Sequence, residues 1–338
     1  MRGDGNGATA SREAILAALH DGERFLLATH ENPDGDALGS LVGMNRLLRA
    51  LGKDTLMFMA PEEFPLPYEY RFIELDGLVT EAPADADERI IVFLDCGNID
   101  RNPADALKRP NARILNVDHH HDNTRFGTVD HVVPDASCTA EIVWDLMNAL
   151  GMSPSVEMAE ALYVGLVTDT GKFMYENTGP RAHAMAAALI EAGIDVHAIY
   201  RRLFEGVPQA KLDLLARGLA NIERYEDGLL TLTLLSKADY AEVGAEEAYS
   251  EGVVDHLRAL EGTAVAGLVR DRVTHGRSTG RKVSLRASDD RVDVSAIARE
   301  QGGGGHRRAA GFSTDMEWEE LVAFLRGAVA QALAPVHG

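Results

Sequence analysis

The stretch Asn116-Val117-Asp118-His119-His120-His121 follows the apolar run Arg113-Ile114-Leu115, so acid and imidazole groups stand where a buried strand runs out. Two earlier runs end the same way: Phe25-Leu26-Leu27-Ala28-Thr29 reaches His30, and Ile90-Ile91-Val92-Phe93-Leu94 reaches Asp95. Apolar runs of this length, alternating with helical patterns, suit parallel strands covered on both faces. Open parallel sheets bind ligands outside the carboxyl ends of their strands. Three strands ending in metal-ligating residue types therefore point to one metal site on an α/β fold, a mostly parallel sheet flanked by helices.

The rest of the chain arranges itself around these ends. A short helix is expected from Ser11 to Leu19, and a Pro-, Gly- and Asp-rich turn, Glu31 to Asp36, after His30. A helix follows from about Ala37, with Leu41, Met44, Leu48 and Leu51 on its apolar face and Gly52 as its stop. Thr55 to Met59 reads as a strand, and Pro61 to Pro67 as a lid-like loop. Ser137 to Leu150 reads as a helix, and the next, capped at Ser153-Pro154, delivers Asp169 at its end. Helices over 180–192 and 195–205 finish this part. From about Val207 the texture changes to a helical connector, then a hairpin signalled by Asp227-Gly228 between alternating runs. Strands over 263–269 and 283–287 and helices over 293–300 and 317–332 complete a smaller mixed α/β domain. The expected division is a disordered tail over 1–10, a first domain over 11–205, a helical linker over 206–220 and a second domain over 221–336.

With 338 residues, 46% of them hydrophobic, the chain can build two cores. A net charge of −20 argues against a general binder of long duplex nucleic acid, which needs a basic footprint. Small phosphorylated substrates stay open, because bound cations and a local basic segment can reverse the field in one cleft. Arg270, Arg272, Arg277, Arg281, Lys282 and Arg286 form such a segment, or simply a solvated face. No run of eighteen apolar residues suggests a membrane span, and the polar, Gly-rich start lacks the apolar stretch of a secretory signal. Cys96 and Cys138 form no framework and read as buried thiols in a reducing cytoplasm, the expected location.

Taken singly, the acid and imidazole groups have ordinary readings. Asp34 and Asp36 could be turn residues, Asp95 a helix cap, His119 and His120 surface histidines, and Asp169 a helix end. Together they amount to several carboxylates that would repel one another without cations. A shell of carboxylate and imidazole without thiolate suits two Mn²⁺ ions, with Mg²⁺ or Co²⁺ as alternatives. Two cations about 3.5–4 Å apart clamp a phosphoryl group and generate an attacking hydroxide, which is phosphoester hydrolysis.

The spacing also carries a resemblance. Thr29-His30-Glu31-Asn32-Pro33-Asp34-Gly35-Asp36-Ala37, then Asp95, then Asp118-His119-His120 with Asn123 and Phe126-Gly127, then Thr168-Asp169-Thr170-Gly171-Lys172-Phe173 resemble the four motifs of DHH phosphoesterases. Gly302-Gly303-Gly304-Gly305-His306 with Ala309-Ala310-Gly311-Phe312 resembles the associated DHHA1 domain. The resemblance implies two manganese ions, one held by His30 and Asp34, the other by Asp36, His119 and Asp169, with Asp95 bridging both. It implies that Asp118 orients a ligand imidazole and that His120 faces the scissile phosphate as donor or acid, so no protein nucleophile is needed. Arg286, Gly303, Gly304, Gly305 and His306 would bind substrate from the second domain, across a cleft. Four glycines also let backbone N–H groups approach a phosphate, although a flexible turn would use them too. Arg286 is followed by Ala287 where family members often carry serine, which removes one hydroxyl.

The short two-domain members act on oligoribonucleotides a few residues long, on 3′-phosphoadenosine 5′-phosphate (pAp) or on cyclic dinucleotides such as c-di-AMP. The resemblance thus implies a manganese-dependent phosphodiesterase and phosphatase of small nucleotides. A manganese pyrophosphatase is the alternative enzyme, disfavoured by the Gly-rich segment, and a non-catalytic nucleotide receptor is the alternative of another class, disfavoured by the full ligand set. The apolar helices of the first domain are compatible with a homodimer.

Overall fold

The apolar runs that precede His30 and Asp95 become neighbouring strands at the middle of a sheet. The computed structural model describes residues 5–334 apart from 103, 110 and 273–279. Its first unit, which ends at Glu205, holds β1 (Arg24–Ala28), β2 (Asp54–Phe58), β3 (Leu78–Val79), β4 (Ile90–Leu94), β5 (Ile114–Asp118) and β6 (Val129–Val132). All six pair in parallel, in the order β3-β2-β1-β4-β5-β6. The chain leaves β1 towards β2 and β3, then returns to β4 on the other side of β1. That reversal opens a crevice at the carboxyl ends of β1 and β4, where open α/β sheets take their ligands.

The two faces of this sheet are covered differently. Phe25, Leu27, Val92, Leu94, Leu115 and Val117 meet the apolar sides of α1 (Gly5–Asp21), α2 (Gly35–Ala50), α3 (Thr139–Ala149), α4 (Val156–Asp169), α5 (Pro180–Glu191) and α6 (Val196–Phe204). Leu26, Ala28, Ile91 and Phe93 point the other way and are covered by Ala86, Cys96, Leu107 and Phe126, from connecting segments that contain one-turn 3₁₀ helices. Because both faces are buried, β1 and β4 read as continuous apolar runs.

Helix α2 runs unusually close to α4. A Cβ on Gly39 would lie 2.4 Å from the Ala161 carbonyl oxygen, and one on Gly165 would lie 2.8 Å from the Ala140 Cβ and 2.9 Å from Asp36 Oδ1. Glycine at these positions brings the first turn of α2, with Asp36, against the end of α4, with Asp169.

Several boundaries differ from expectation. Helix α1 begins at Gly5, so most of the tail expected over 1–10 is helical. Strand β5 runs on through Asn116 to Asp118, because Asn116 Nδ2 donates to Asn123 Oδ1 and Asp130 Oδ1, both at 3.0 Å, and so tolerates burial. The cap of α4 is Ser155, whose side chain accepts from Met158 N at 3.3 Å, not Ser153.

The second unit begins at Gly206. It contains β7 (Glu223–Tyr225), β8 (Leu230–Leu235), β9 (Val265–Asp271), β10 (Arg281–Ala287), β11 (Gly304–His306) and β12 (Ala309–Thr314), in the order β11-β12-β10-β9-β8-β7. Only β8 and β9 pair in parallel, so this sheet is mixed. Its core joins Leu230, Val265, Val283 and Leu285 to Val294 and Ile297 of α10 (Val294–Glu300) and to Leu321, Leu325 and Val329 of α11 (Trp318–Leu333). Helix α7 (Gln209–Ala220), expected as a linker, packs within this unit: the Gly218 carbonyl accepts from Thr233 Oγ1 at 2.6 Å. Helices α8 (Lys237–Val243) and α9 (Val253–Arg258) complete it. Among the described residues no single helix is long and apolar enough to cross a membrane.

Candidate metal centre

His30 leaves the end of β1 with its ring orientation already decided. Its Nδ1 donates to the Glu31 carbonyl at 2.7 Å, so in the neutral ring Nε2 carries the lone pair, 3.5 Å from Asp95 Oδ2. Asp34 caps α2: its Oδ1 accepts from the N–H groups of Asp36 and Ala37, both at 3.0 Å. Donor atoms of His30, Asp34 and Asp95 all lie within 4.8 Å of one another.

Asp36, two residues further, is 1% exposed and held by α3 and by its own helix: its Oδ2 accepts from Thr139 N at 2.7 Å, and its Oδ1 accepts from Ala140 N at 2.9 Å and from Ser40 Oγ of α2 at 3.2 Å. With Asp95 and His119 it forms a second group of donor atoms within 4.8 Å. Asp169, the last residue of α4, reaches the same place, with Oδ2 3.9 Å from His119 Nε2. Its Oδ2 accepts from Asn177 Nδ2 at 3.0 Å.

Asp95 stands between the groups. It follows β4 in the left-handed region, at φ +56°. Its Oδ2 faces His30, and its Oδ1 lies 3.6 Å from His119 Nε2 and 3.6 Å from His120 Nδ1. Burial pushes this carboxyl up, but His30, His120 and His119 outweigh burial and hold it well below the usual range. Asp118, expected to orient a ligand imidazole, meets His120 instead: His120 Nδ1 donates to Asp118 Oδ1 at 2.7 Å. Asn123 Nδ2 donates to the other oxygen of Asp118 at 2.6 Å. Burial works against a charged His120, yet the Asp118 carboxylate raises the ring to about 9. Asp95, Asp118 and His120 also lie within metal-binding reach of one another, but two of the three, Asp118 and His120, already form an ion pair.

The donor set fits divalent cations. Burial, followed by repulsion from neighbouring acids, pushes Asp36 well up. Burial raises Asp169 to about 7 against the pull of His119. Carboxyls crowded enough to hold protons near neutrality are relieved by cations. Burial also pushes both thiols up, Cys96 to about 12 and Cys138 well above its ordinary value, which leaves oxygen and imidazole donors.

In the second unit, Arg286 lies on β10, its Nε 3.7 Å from Asp255 Oδ1. The Gly-rich segment is not a simple loop: Gly304–His306 forms β11, an edge strand paired antiparallel with β12. Gly305 needs its missing side chain, at φ +130°, and a Cβ on Gly303 would strike the Gly311 carbonyl oxygen at 2.2 Å. Gly304 has neither constraint. Among its described residues the basic segment is also mostly strand, and several of its charges are engaged. Arg270 is 5% exposed and donates to Ser250 Oγ at 3.0 Å and Ser284 Oγ at 2.6 Å, while Arg281 pairs with Asp271 at 3.2 Å and Glu317 at 3.0 Å. Arg277 lies outside the described residues. Sequence reasoning passed over Thr139, Ser40 and Asn177. Only Ser137-Cys138-Thr139, small polar residues opening a helix, signalled the first of them.

Residues 24–166 match the DHH family, N-terminal domain, and residues 232–333 match the DHHA1 domain. The chain is 33% identical to the bifunctional oligoribonuclease and PAP phosphatase NrnA of Thermus thermophilus, over 90% of either chain. It is 24% identical to the protein of the same name from Bacillus subtilis, over 88% of this chain and 91% of that one. A solved structure of an exopolyphosphatase-related protein from Bacteroides fragilis shares the fold, with a TM-score of 0.83 at 24% identity over 96% of both chains. With both domains matched in order, and a third of its residues shared with a relative along nearly its whole length, this chain belongs to the DHH family of phosphoesterases that carry a DHHA1 second domain.

Proposed function

We propose that this protein is a manganese-dependent phosphoesterase that hydrolyses small nucleotides: oligoribonucleotides a few residues long, pAp, and linear or cyclic adenine dinucleotides. The convergence of three imidazoles on one buried carboxylate, Asp95, beside two carboxyls pushed up by crowding, carries this reading. The names of the Thermus thermophilus and Bacillus subtilis relatives, oligoribonuclease and PAP phosphatase, support the substrate class.

In this reading His30 and Asp34 hold one cation, Asp36, His119 and Asp169 hold the other, and Asp95 serves both. The pair of cations would supply charge for the phosphoryl oxygens and water activated near neutral pH. The chain's own residues do the rest. Asp118 keeps His120 charged at neutral pH, so both ring nitrogens are donors and the ring can hydrogen-bond a phosphoryl oxygen or give a proton to a leaving alkoxide. Asn123 holds Asp118 from its other oxygen, which fixes the carboxylate that fixes the ring. Gly304, with no packing reason to be glycine, lets a phosphate approach the backbone of the edge strand β11, and Arg286 adds a planar guanidinium for the same anion.

The test is a product-resolved assay with Mn²⁺ on pAp, short oligoribonucleotides, c-di-AMP, linear pApA and pyrophosphate, with chelator controls. Chelator-sensitive turnover of pAp and short RNA is expected. Turnover of pyrophosphate alone, or nucleotide binding without any turnover, would reject the reading.

A further inference from the structure

Thr139 touches two carboxylates that arrive from different elements, Asp36 from the first turn of α2 and Asp95 from the end of β4. It is fully buried at the first position of α3. Its backbone N–H donates to Asp36 Oδ2 at 2.7 Å, and its hydroxyl donates to Asp95 Oδ1 at 3.1 Å. The two bonds are separable. The N–H survives any ordinary substitution, and Ala140 N and Ser40 Oγ also hold Asp36. The hydroxyl bond to Asp95 depends on the side chain.

Asp95 needs that bond for a geometric reason. Its two oxygens face different partners, Oδ2 towards His30 and Oδ1 towards His119 and His120. The carboxylate torsion of an aspartate is soft and roughly two-fold, so the side chain alone does not hold each oxygen to one partner. A donor on Oδ1 removes the freedom. The Thr139 hydroxyl is 44 residues away in sequence and sits on a helix end already anchored to Asp36. It therefore ties the rotation of Asp95 to the position of the other acid in the same donor group.

We propose that Thr139 is a positioning residue whose hydroxyl fixes the rotation of the Asp95 carboxylate, so that Oδ1 serves the Asp36–His119 cation and Oδ2 the His30–Asp34 cation. The inference rests on the metal-centre reading above, but not on which nucleotide is hydrolysed. A threonine retained only for packing would act through its methyl group, not its hydroxyl.

The experiment titrates Mn²⁺ into the full-length wild type and the variants Thr139→Val, Thr139→Ser and Thr139→Ala, by calorimetry and by electron paramagnetic resonance. In the wild type, two ions and a spin-coupled spectrum are expected. Thr139→Val should keep the first ion but bind the second about 10–100-fold more weakly, the range for lost partners of metal ligands, and show an uncoupled spectrum at two equivalents. Thr139→Ser should restore both. The serine and alanine variants differ by one hydroxyl, so their difference carries the test even if the valine variant does not fold. Wild-type affinity and coupling in both Thr139→Val and Thr139→Ala would overturn the proposal and leave the metal centre intact. Equal failure of serine and alanine would overturn it too, in favour of the methyl group. A wild type that takes up no Mn²⁺ would overturn the metal-centre reading itself.

Discussion

At Asp95, burial and three imidazoles pull one carboxyl in opposite directions, and the imidazoles win. Asp95→Ala removes the group that both donor sets share, so it should abolish cooperative Mn²⁺ uptake and lower kcat/KM by more than about a hundredfold, beyond the loss for a mere supporting partner. The fold should survive, because the three histidines lose a neighbour at the mouth of the sheet and not in its core. Metal titration and circular dichroism check both parts; retention of a tenth of the activity would sink the bridging assignment. In the second unit, three adjacent glycines separate packing from function. Gly303→Ala forces a methyl against the Gly311 carbonyl, and Gly305→Ala strains a φ of +130°, so each should lower stability by about 1–3 kcal/mol. Gly304→Ala meets nothing and should leave the melting temperature unchanged while raising KM for pAp several-fold. Thermal melts beside Michaelis kinetics decide it; an unchanged KM would mean that no phosphate approaches there.

Helices α2 and α4 carry an aspartate each to the centre, and their backbones meet at Gly39 and Gly165. Gly39→Ala should push the helices apart, at about 1–3 kcal/mol of stability. It should also weaken the cation proposed for Asp36, His119 and Asp169 more than the one proposed for His30 and Asp34, since only the former would depend on both helices. Equal weakening of both sites would refute the geometric link. This contact was not legible beforehand: the heptad-like spacing of Leu41, Met44 and Leu48 announced a buried helix, but not that small residues set how closely it is approached. The long apolar strands β1 and β4 were legible because both their faces are buried, and the acids and imidazoles at their ends stood out for the same reason. The centre's supporting bonds were not. Thr139 lies 103 residues from Asp36, and Asn177 reaches Asp169 from beyond a turn, so only the fold brings them together. Strand β6 escaped because Val129-Asp130-His131-Val132 lies at a sheet edge, with polar residues satisfied by Asn116, Gly127 and Ser11. Strand β12, Ala309 to Thr314, is too rich in small residues to announce itself.

Across the whole molecule, a chain of net charge −20 gathers several acids into one buried place, and its response to pH should show the cost. Asp169 holds its proton to about 7 in the folded chain, against an ordinary value of 3.8, so between those values the folded state binds more protons than the unfolded state. His120 does the same between 6.5 and about 9. For both groups the stabilising contribution is present below the ordinary value and is lost as pH rises through the folded one. Asp95 and Asp118, held low, contribute stability that is already complete above 3.8 and constant from there upward. In chelator, the melting temperature should therefore fall as pH is raised from 3.8 to about 9, first through the Asp169 window and then through that of His120. With Mn²⁺ present the slope should flatten or reverse, because cations bind the deprotonated acids and tighten as protons leave. The gap between the two curves should widen up to about pH 7, as Asp169 loses its proton, and then change little where His120 titrates in both. Parallel curves would mean that the acids are not what the metal neutralises, and a rising melting temperature in chelator would remove the crowding argument for cations altogether.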